Sequence, residues 1–198
     1  MVDLAELYAR HARRFDGART RSLMERPYLE MATTLAPATG KVLDVGCGSG
    51  EPLSRYFIEK GYQVTGIDAV DEMLEMCRER FPEMTWIQAD MRRMNVSDRF
   101  DIVIAWDSFF HLSPNDQRAV LRKFRHQTAP GGVLVFTSGV TEGEEIGGDL
   151  FGDQLYHGSL NTDEYASSLQ SLGYQVALHR IEDPNCGGRT VWVAKLVN

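Results

Sequence analysis

The sequence predicts an α/β fold, a doubly wound sheet of seven strands with an N-terminal helical flap. Strand-like stretches alternate with amphipathic helical stretches between residues 40 and 138, which is typical of a parallel sheet covered by helices on both faces. The first strand runs directly into three alternating glycines, Gly46, Gly48 and Gly50, as at the strand–turn–helix corner of such folds. Near the C-terminus, two strand-like stretches flank a turn cluster at residues 183–188, and this arrangement favours a hairpin that places one antiparallel strand in the sheet.

Length and composition indicate one domain. The chain has 198 residues, of which 43% are hydrophobic and 25% charged, and these values are ordinary for a globular domain with one core. We predict a single domain over residues 1–198, with a helical cap (residues 1–38), a core (residues 39–198) and a lid loop inside the core (residues 138–160). The net charge of −7 argues against a nucleic-acid partner, because affinity for phosphates comes mainly from Lys and Arg.

The cap is predicted from helical periodicity. Apolar residues recur every three or four positions through residues 2–36, which is the spacing of one helix face. Asp16 and Gly17 interrupt the pattern and predict a break at that point.

The first half of the core is predicted to contain three strands and two helices. Pro52 opens the first helix, where its missing N–H is not needed, and Gly61 ends it as a C-cap. The second helix begins near Asp71 and ends at Phe81, ahead of Pro82. The predicted strands cover residues 41–45, 62–67 and 84–88.

The second half is predicted to contain four strands and two helices. Ser113 as N-cap with Pro114 at the first helical position begins one helix. Asn161 and Glu164 form a capping box that begins the other. Residues 138–160 contain six glycines and no clear period, so we predict a loop. Loops of this length inside a domain are usually either functional or disordered. The predicted strands cover residues 100–105, 133–137, 174–181 and 190–197.

The residues around the glycines discriminate between ligands that bind at such a corner. A dinucleotide fingerprint has glycines at its first, third and sixth positions, but the sixth position here is Glu51. Its carboxylate would face a pyrophosphate at the helix N-terminus, where the charge has the wrong sign. Asp44, two positions before the first glycine, suits a ligand with an amino group. A nicotinamide-dependent oxidoreductase is therefore the less favoured enzyme class.

The Asp-x-Gly-x-Gly-x-Gly pattern at residues 44–50, followed by Asp68 at the end of the second strand, resembles motif I and the next acidic position of class I S-adenosylmethionine (AdoMet)-dependent methyltransferases. The resemblance covers about residues 40–198 in architecture, and its motifs cover about residues 40–138. It implies the sheet order 3-2-1-4-5-7-6, AdoMet as cofactor and S-adenosylhomocysteine as product.

Residues 105–112 indicate which branch of the family the chain resembles. Enzymes that methylate planar amino groups of bases or amides carry an Asn/Asp-Pro-Pro-Tyr/Phe signature at this place, and this chain has Ala-Trp-Asp-Ser-Phe-Phe-His-Leu instead. It is therefore similar to the small-molecule branch. Because the sulfonium of AdoMet is already an activated methyl donor, we expect no obligatory catalytic residue.

The resemblance implies cofactor contacts for eleven residues. Asp44 would orient the glycine loop or hold the cofactor's amino group through water, and Asp68 would accept both ribose hydroxyls. Asp90 would take the exocyclic amine of adenine. Trp106 would face the sulfonium, with a cation–π contribution of roughly 0.5–2 kcal/mol. The implied set is Asp44, Gly46, Gly48, Gly50, Asp68, Ala69, Met73, Ala89, Asp90, Met91 and Trp106.

The acceptor side is predicted from polar residues near the strand ends and in the cap. Asp107 and His111 border the cavity as candidate catalytic residues. His111 either takes a proton from the acceptor or packs beside the following helix, and Arg19 either closes on the cofactor carboxylate or stays solvated. The candidate substrate-binding residues are Tyr8, Arg19, Tyr156 and His157.

The functional hypothesis is an AdoMet-dependent methyltransferase that transfers a methyl group to an O, N or S atom of a small molecule by in-line displacement. The alternatives are a protein-methylating enzyme of the same fold and a non-catalytic AdoMet-binding regulator. A monomer and a homodimer are both left open.

Cysteine and histidine spacing predicts no metal site and no disulfide framework. The sequence has three cysteines, far apart. No apolar stretch has the length of a signal peptide core or a membrane span, so we expect a cytoplasmic protein with no membrane partner.

Overall fold

A computed structural model describes residues 4–38 and 40–197. Its main sheet has seven strands in the order β3-β2-β1-β4-β5-β9-β8. The strands are β1 (Lys41–Val45), β2 (Gln63–Asp68), β3 (Thr85–Gln88), β4 (Phe100–Ala105), β5 (Thr128–Ser138), β8 (Tyr174–Asp183) and β9 (Arg189–Leu196). The helices are α1 (Leu4–Ala18), α2 (Arg26–Leu35), α3 (Leu53–Glu59), α4 (Asp71–Arg80), α5 (Pro114–Gln127) and α6 (Thr162–Ser171).

The predicted fold class and strand order are confirmed. Strands β1 to β5 pair in parallel, and β9 is antiparallel to both β5 and β8. Two extra strands between β5 and α6 shift the numbering of the last pair, so that the predicted sixth and seventh strands become β8 and β9.

Local signals at two helix starts act as the sequence predicts. The Ser113 hydroxyl accepts from the backbone N–H of Asp116, and the Asn161 side chain accepts from the backbone N–H of Glu164. Each side chain satisfies one of the free N–H groups at a helix N-terminus, so α5 and α6 begin where they were expected.

The cap differs from the prediction in where it breaks. Helix α1 continues through Asp16 and Gly17, and the break lies at residues 19–25, where Leu23 has φ +53°. Asp16 is buried and bonded to other elements, so tertiary contacts hold a turn of helix that the local sequence disfavours. Residues 1–3 of the predicted cap, and residues 39 and 198 of the predicted core, lie outside the described residues.

The two cap helices have different surroundings. In α2, Tyr28, Leu29 and Ala32 are buried in the hydrophobic core beneath one face of the sheet. Helix α1 instead packs against α4 and, through Leu7, against the segment at residues 143–159. Only α1 therefore covers the sheet edge, whereas α2 is part of the core.

The predicted lid loop is wrong as a loop, because residues 143–159 form a β-hairpin. Strands β6 (Gly143–Leu150) and β7 (Asp153–Ser159) pair antiparallel, with Ile146 opposite Tyr156. The glycines supply backbone conformations: Gly148 has φ +70° at a register shift and Gly152 has φ +102° in the turn. The glycines of this segment thus serve its turn and its register shift, and they obscured the alternating pattern of the two strands in the sequence.

The hairpin is attached to the core by a buried amide. Gln117 of α5 donates from Nε2 to the backbone oxygens of Leu112 (2.9 Å) and Gly158 (2.8 Å). Leu150 and Leu155 are buried against Leu7 of α1. The hairpin and α1 therefore contact each other above the sheet edge.

Strand β5 begins earlier than predicted. Thr128 pairs with Phe100, and Val133 pairs with Ile102. The residues between form a bulge in which Gly131 has φ +75°, so the predicted Pro-Gly-Gly turn lies inside the strand.

The parallel strands all end at one edge of the sheet, and β1 and β4 are neighbours in it while their helices α3 and α5 lie on opposite faces. In open α/β sheets this switch point, outside the carboxyl ends of the strands, forms a crevice. Among the described residues, no helix combines the length and the apolar composition needed to span a membrane.

Candidate active site

A cavity of about 860 Å³ lies at the carboxyl edge of β1, β2 and β4, beneath α1 and the β6–β7 hairpin. Its size falls in the range of small-molecule sites, roughly 300–1,000 Å³. Of the predicted site residues, those that line the cavity are Tyr8, Arg19, Asp44, Gly46, Gly48, Asp68, Ala69, Met73, Ala89, Asp90, Met91, Trp106, Asp107, His111 and Tyr156. Gly50 and His157 do not line it.

The turn after β1 is fixed by hydrogen bonds to neighbouring strands. The backbone N–H groups of Gly46 and Cys47 donate to the carbonyl of Ile67 (2.7 and 3.1 Å), and Ser108 Oγ donates to the carbonyl of Val45 (2.7 Å). Gly46 has φ +77°, and a Cβ there would fall 2.3 Å from the Ser108 Cβ. Glycine is required at this position on both counts.

The Asp68 carboxylate, at the end of β2, is fixed by two backbone hydrogen bonds. Its two carboxylate oxygens accept from the backbone N–H groups of Gly48 (2.8 Å) and Val70 (2.9 Å). Burial raises the pKa of Asp68, and these backbone donors counter the shift. An ionised carboxylate has about four acceptor positions, so Asp68 keeps capacity for two further donors from the cavity.

Asp44 lies deeper, at the end of β1. It is 3% exposed and accepts a hydrogen bond from Ser54 Oγ of α3 (2.7 Å). Burial raises the pKa of Asp44 to about 6. A cationic group in the cavity would favour the ionised form, because an opposite charge nearby lowers a carboxyl pKa.

Asp90 caps the short turn after β3. Its side chain accepts from the backbone N–H of Arg92 (2.8 Å) and from the Arg92 guanidinium. Burial would raise the pKa of Asp90, but the bonds to Arg92 outweigh it and hold the pKa below its usual value. Asp90 and Met91 both line the cavity.

Trp106 lines the cavity and also packs in the core, whereas Gly50 does not line the cavity. Trp106 is 4% exposed, lines the cavity and packs on Tyr28, with ring centroids 5.7 Å apart. Gly50 points away from the cavity: a Cβ there would meet Phe81 (3.2 Å) and Cys77 (3.3 Å) of the α4 region. Gly50 therefore lets the loop pack on α4, so its predicted contact with a ligand is not supported by its position.

Asp107 is held by two arginines. The Arg189 guanidinium forks onto its carboxylate (Nε–Oδ1 2.8 Å, Nη2–Oδ2 2.7 Å), and Arg19 Nη1 donates to Oδ2 (3.1 Å). Burial alone would raise the pKa of Asp107, but the bonds and charges of Arg189 and Arg19 hold it below its usual value. Asp107 is therefore a fixed anion and a poor proton acceptor.

His111 is fixed as one neutral tautomer. Its Nδ1 lies 2.9 Å from the backbone oxygen of Tyr156, which can only accept, so Nδ1 carries the proton. Nε2 then accepts from the Tyr8 hydroxyl at 3.1 Å. Burial lowers the pKa of His111 to about 4, and burial together with the charge of Asp107 raises that of Tyr8 to about 12. Both groups are neutral at pH 7, and both line the cavity.

The two predicted site residues of the hairpin, Tyr156 and His157, differ in whether they line the cavity. Tyr156 lines the cavity, and its hydroxyl donates to Glu144. His157 is turned away and packs against the rings of Phe110 and His111, with centroids 5.1 and 5.2 Å apart. Its position supports a packing role.

Residues 42–132 match the family model described as a methyltransferase domain. The chain resembles the class I methyltransferases. The predicted resemblance is thereby confirmed, and its match covers the glycine loop, Asp68, Asp90 and Asp107.

Relatives agree in sequence over part of their length. A dTDP-4-amino-2,3,4,6-tetradeoxy-D-glucose N,N-dimethyltransferase from Saccharopolyspora spinosa is 29% identical over 132 residues, which is 66% of this chain and 53% of the relative. The putative methyltransferase YqeM of Bacillus subtilis is 36% identical over 106 residues, 50% of this chain and 42% of the relative. The chain spans about half the length of these curated relatives.

Solved structures share the fold along almost the whole chain. An S-adenosylmethionine-dependent methyltransferase from Clostridium acetobutylicum superposes with a TM-score of 0.74 at 13% identity, over 97% of this chain and all of that one. CalS10, an amino pentose methyltransferase from Micromonospora echinaspora, has a TM-score of 0.72 at 18% identity, over 99% and 98% of the two chains. The seven-stranded sheet with its antiparallel end is thus the methyltransferase fold.

Sequence reasoning missed residues whose contacts are long-range. Asp16 bonds Ser49 of the glycine loop and Arg80 of α4, and Ser108 fills the space that Gly46 leaves. Glu25 completes the charge cluster of Arg19 and Asp107. No periodicity or spacing marks such residues, since their partners lie far away in the chain. The described residues contain no group of three or more His, Cys, Asp or Glu side chains placed to hold a metal ion.

Proposed function

We propose that this protein is an AdoMet-dependent methyltransferase that acts on a small molecule. The observation that carries the proposal is that one cavity is lined both by the glycine loop, Asp68 and Asp90 and by residues of α1 and the hairpin. Asp68, Asp90 and the loop supply the donors and acceptors of a nucleoside site, and the neutral Tyr8–His111 pair lines the same cavity.

The cavity residues fit the cofactor. Asp68 has free acceptor capacity for the ribose hydroxyls, and Asp90 with Met91 lies where the adenine edge would be read. The glycine loop brings backbone to the cavity wall without side chains at Gly46 and Gly48. Arg19, which faces the cavity from the end of α1, would meet the cofactor carboxylate.

When bound, AdoMet supplies a methyl group already activated by a positive sulfur with a neutral leaving group. The chain's own part is to align the acceptor and exclude water, and such orientation can supply up to ~7–11 kcal/mol of the barrier in the best cases. Helix α1 and the hairpin cover the cavity. His111 Nε2, freed from Tyr8, would accept a hydrogen bond from the acceptor and orient its lone pair toward the methyl group.

An amine nitrogen is the favoured acceptor atom. The names of several relatives support it, since two are N,N-dimethyltransferases of nucleotide-linked amino sugars. A neutral His111, whose Nε2 can accept a hydrogen bond, also suits an acceptor that presents an N–H group to it. The cover that α1 and the hairpin form over the cavity supports a small acceptor over a protein.

We also propose a cytoplasmic location, with no nucleic acid or membrane as partner. The three cysteines are free thiols, which supports a reducing compartment, and the net charge of −7 disfavours nucleic acid.

Calorimetry with S-adenosylhomocysteine tests the proposal. We expect the wild type to bind it and the Asp68→Ala variant to bind at least about tenfold more weakly, because two hydroxyl hydrogen bonds to a charged group are lost. Asp71→Ala, at the exposed start of α4, is the matched control and should bind as the wild type does. Binding of NAD in place of S-adenosylhomocysteine, or of neither, would refute the proposal. Binding without turnover of any amine, alcohol or thiol acceptor would favour the regulator.

A further inference from the structure

Behind the cavity wall, two charged residues hold the pair Arg19 and Asp107. Arg189 forks onto the Asp107 carboxylate, and Arg19 Nη2 lies 3.4 Å from Glu25 Oε1. Arg19 and Asp107 line the cavity, whereas Glu25 and Arg189 do not. The cluster therefore has an inner layer that a ligand can touch and an outer layer that it cannot.

Glu25 is an unusual residue to bury. It is 0% exposed, and its Oε2 has no hydrogen-bond partner among residues 4–38 and 40–197. A buried carboxylate with an unsatisfied oxygen is costly, and stability alone would favour a neutral side chain. Its position beside the Arg19 guanidinium, at the N-cap of α2, gives it one evident task, which is to hold that arginine.

Arg189 is aimed by the turn that precedes β9. Gly187 has φ +62°, and a Cβ there would fall 2.3 Å from Arg189 Nη1. Arg189 Nη1 also donates to the carbonyl of Cys186 (3.1 Å). Asp107, which accepts the hydrogen bonds from Arg189, has φ +51°, a strained value for a residue other than glycine. Its backbone N–H donates to Thr137 Oγ1 (2.9 Å). The turn and the strand end thus fix one carboxylate against one guanidinium.

The four charges balance, since two carboxylates face two guanidiniums. The amino-acid end of AdoMet carries one carboxylate and one ammonium, so it adds no net charge to the cluster. Arg19 can meet the carboxylate and Asp107 the ammonium while Glu25 and Arg189 keep both in place. Without Glu25, Arg19 would be free to turn fully onto Asp107.

We propose that Glu25 and Arg189 are positioning residues, which hold Arg19 and Asp107 in the geometry that recognises the amino-acid end of the cofactor. This inference rests on the proposed function.

The test compares two ligands that differ in that end. S-adenosylhomocysteine carries the amino acid, and 5′-methylthioadenosine lacks it. In Glu25→Gln and in Arg189→Lys we expect the Kd for S-adenosylhomocysteine to rise about tenfold, because an oriented charge-assisted bond is weakened. The Kd for methylthioadenosine should change less than about twofold by the same reasoning. Arg189→Lys keeps the charge but loses the fork, so it separates orientation from charge.

Glu30→Gln is the matched control. It makes the same change of side chain as Glu25→Gln in an exposed carboxylate of α2, which pairs with Arg26 at 3.7 Å, and should leave the ratio of the two Kd values at its wild-type value. Equal losses for both ligands in Glu25→Gln and Arg189→Lys, or no loss in either variant, would overturn the inference. A wild type that binds neither ligand would instead show that the proposed function itself is wrong.

Discussion

At the residue scale, the site depends on protonation states that burial and hydrogen bonds impose. A histidine in water is partly charged at neutral pH, but His111 is enclosed by α1, the hairpin and the neighbouring rings. Its Nδ1–H is committed to a backbone carbonyl of the hairpin, and its Nε2 faces the Tyr8 hydroxyl. Asp107, by contrast, is an anion that is held by the guanidinium groups of Arg19 and Arg189. Neighbouring positions in one loop therefore hold an anion and a neutral base.

The pH dependence of stability follows from His111. Its pKa of about 4 in the folded chain lies below the ordinary value of 6.5, so the unfolded chain binds the proton more readily. The contribution of His111 to stability is complete above pH 6.5 and is lost as the pH falls toward 4. We expect the urea unfolding free energy of the wild type to fall more steeply over this window than that of His111→Gln. An imidazole carbon NMR signal of His111 that titrates near pH 6.5 would contradict this.

At the scale of elements, Asp16 connects three parts of the fold. Its carboxylate accepts from Arg80 of α4 (2.6 and 2.8 Å), from Ser49 of the glycine loop and from Arg21 (3.3 Å). The bonds to Arg80 lower the pKa of Asp16 to about 2, so it stays ionised at neutral pH. The cap helix is thereby joined to the loop that we propose binds the cofactor, and order in one requires order in the other.

Asp16→Asn should weaken this junction. Loss of the carboxylate leaves Arg80 and Ser49 without their buried anion, which we expect to cost roughly 2–4 kcal/mol of unfolding free energy. Hydrogen exchange should speed up mainly in α1 and at residues 46–51. Asp71→Asn, which breaks the exposed pair with Arg78, is the control and should cost about 0–1 kcal/mol. Equal effects from the two variants would contradict the assigned junction.

At the scale of the whole molecule, the cavity is an assembly of distant pieces. Its floor is the carboxyl edge of the sheet, one wall is α1, and the cover is the hairpin between β5 and α6. Residues up to about 150 positions apart in the chain line it, from Leu4 to Tyr156. A ligand that fills it must contact all three pieces, whereas α6 and β8 lie away from it.

Hydrogen exchange with S-adenosylhomocysteine therefore has an expected pattern. We predict slower exchange in α1, at residues 46–51, at residues 68–73 and in β7, because ligand contacts stabilise segments that otherwise open locally. Exchange in α6 and β8 should be unchanged. Protection spread evenly over the chain, or confined to α6 and β8, would show that the ligand binds elsewhere.

The sequence by itself determined the alternating core and the strand-end residues that line the cavity. Short-range chemistry fixes these: β-strand composition, the Ser113 and Asn161 caps, and glycines placed where the turn after β1 needs them. The strand ends of a parallel sheet meet at one edge, so the sequence alone predicts that Asp44, Asp68, Asp90 and Asp107 lie near one another.

Only the tertiary structure decided the rest. Gly50 and His157 fit the local pattern, yet packing on α4 and on Phe110 turns them from the cavity. The hairpin was hidden by its glycines, and α1 passes through Asp16–Gly17 because Arg80 and Ser49 bind Asp16. Such contacts join residues far apart in sequence, where no local propensity or spacing carries information, and they set which side chains are charged, which are neutral and which face the cavity.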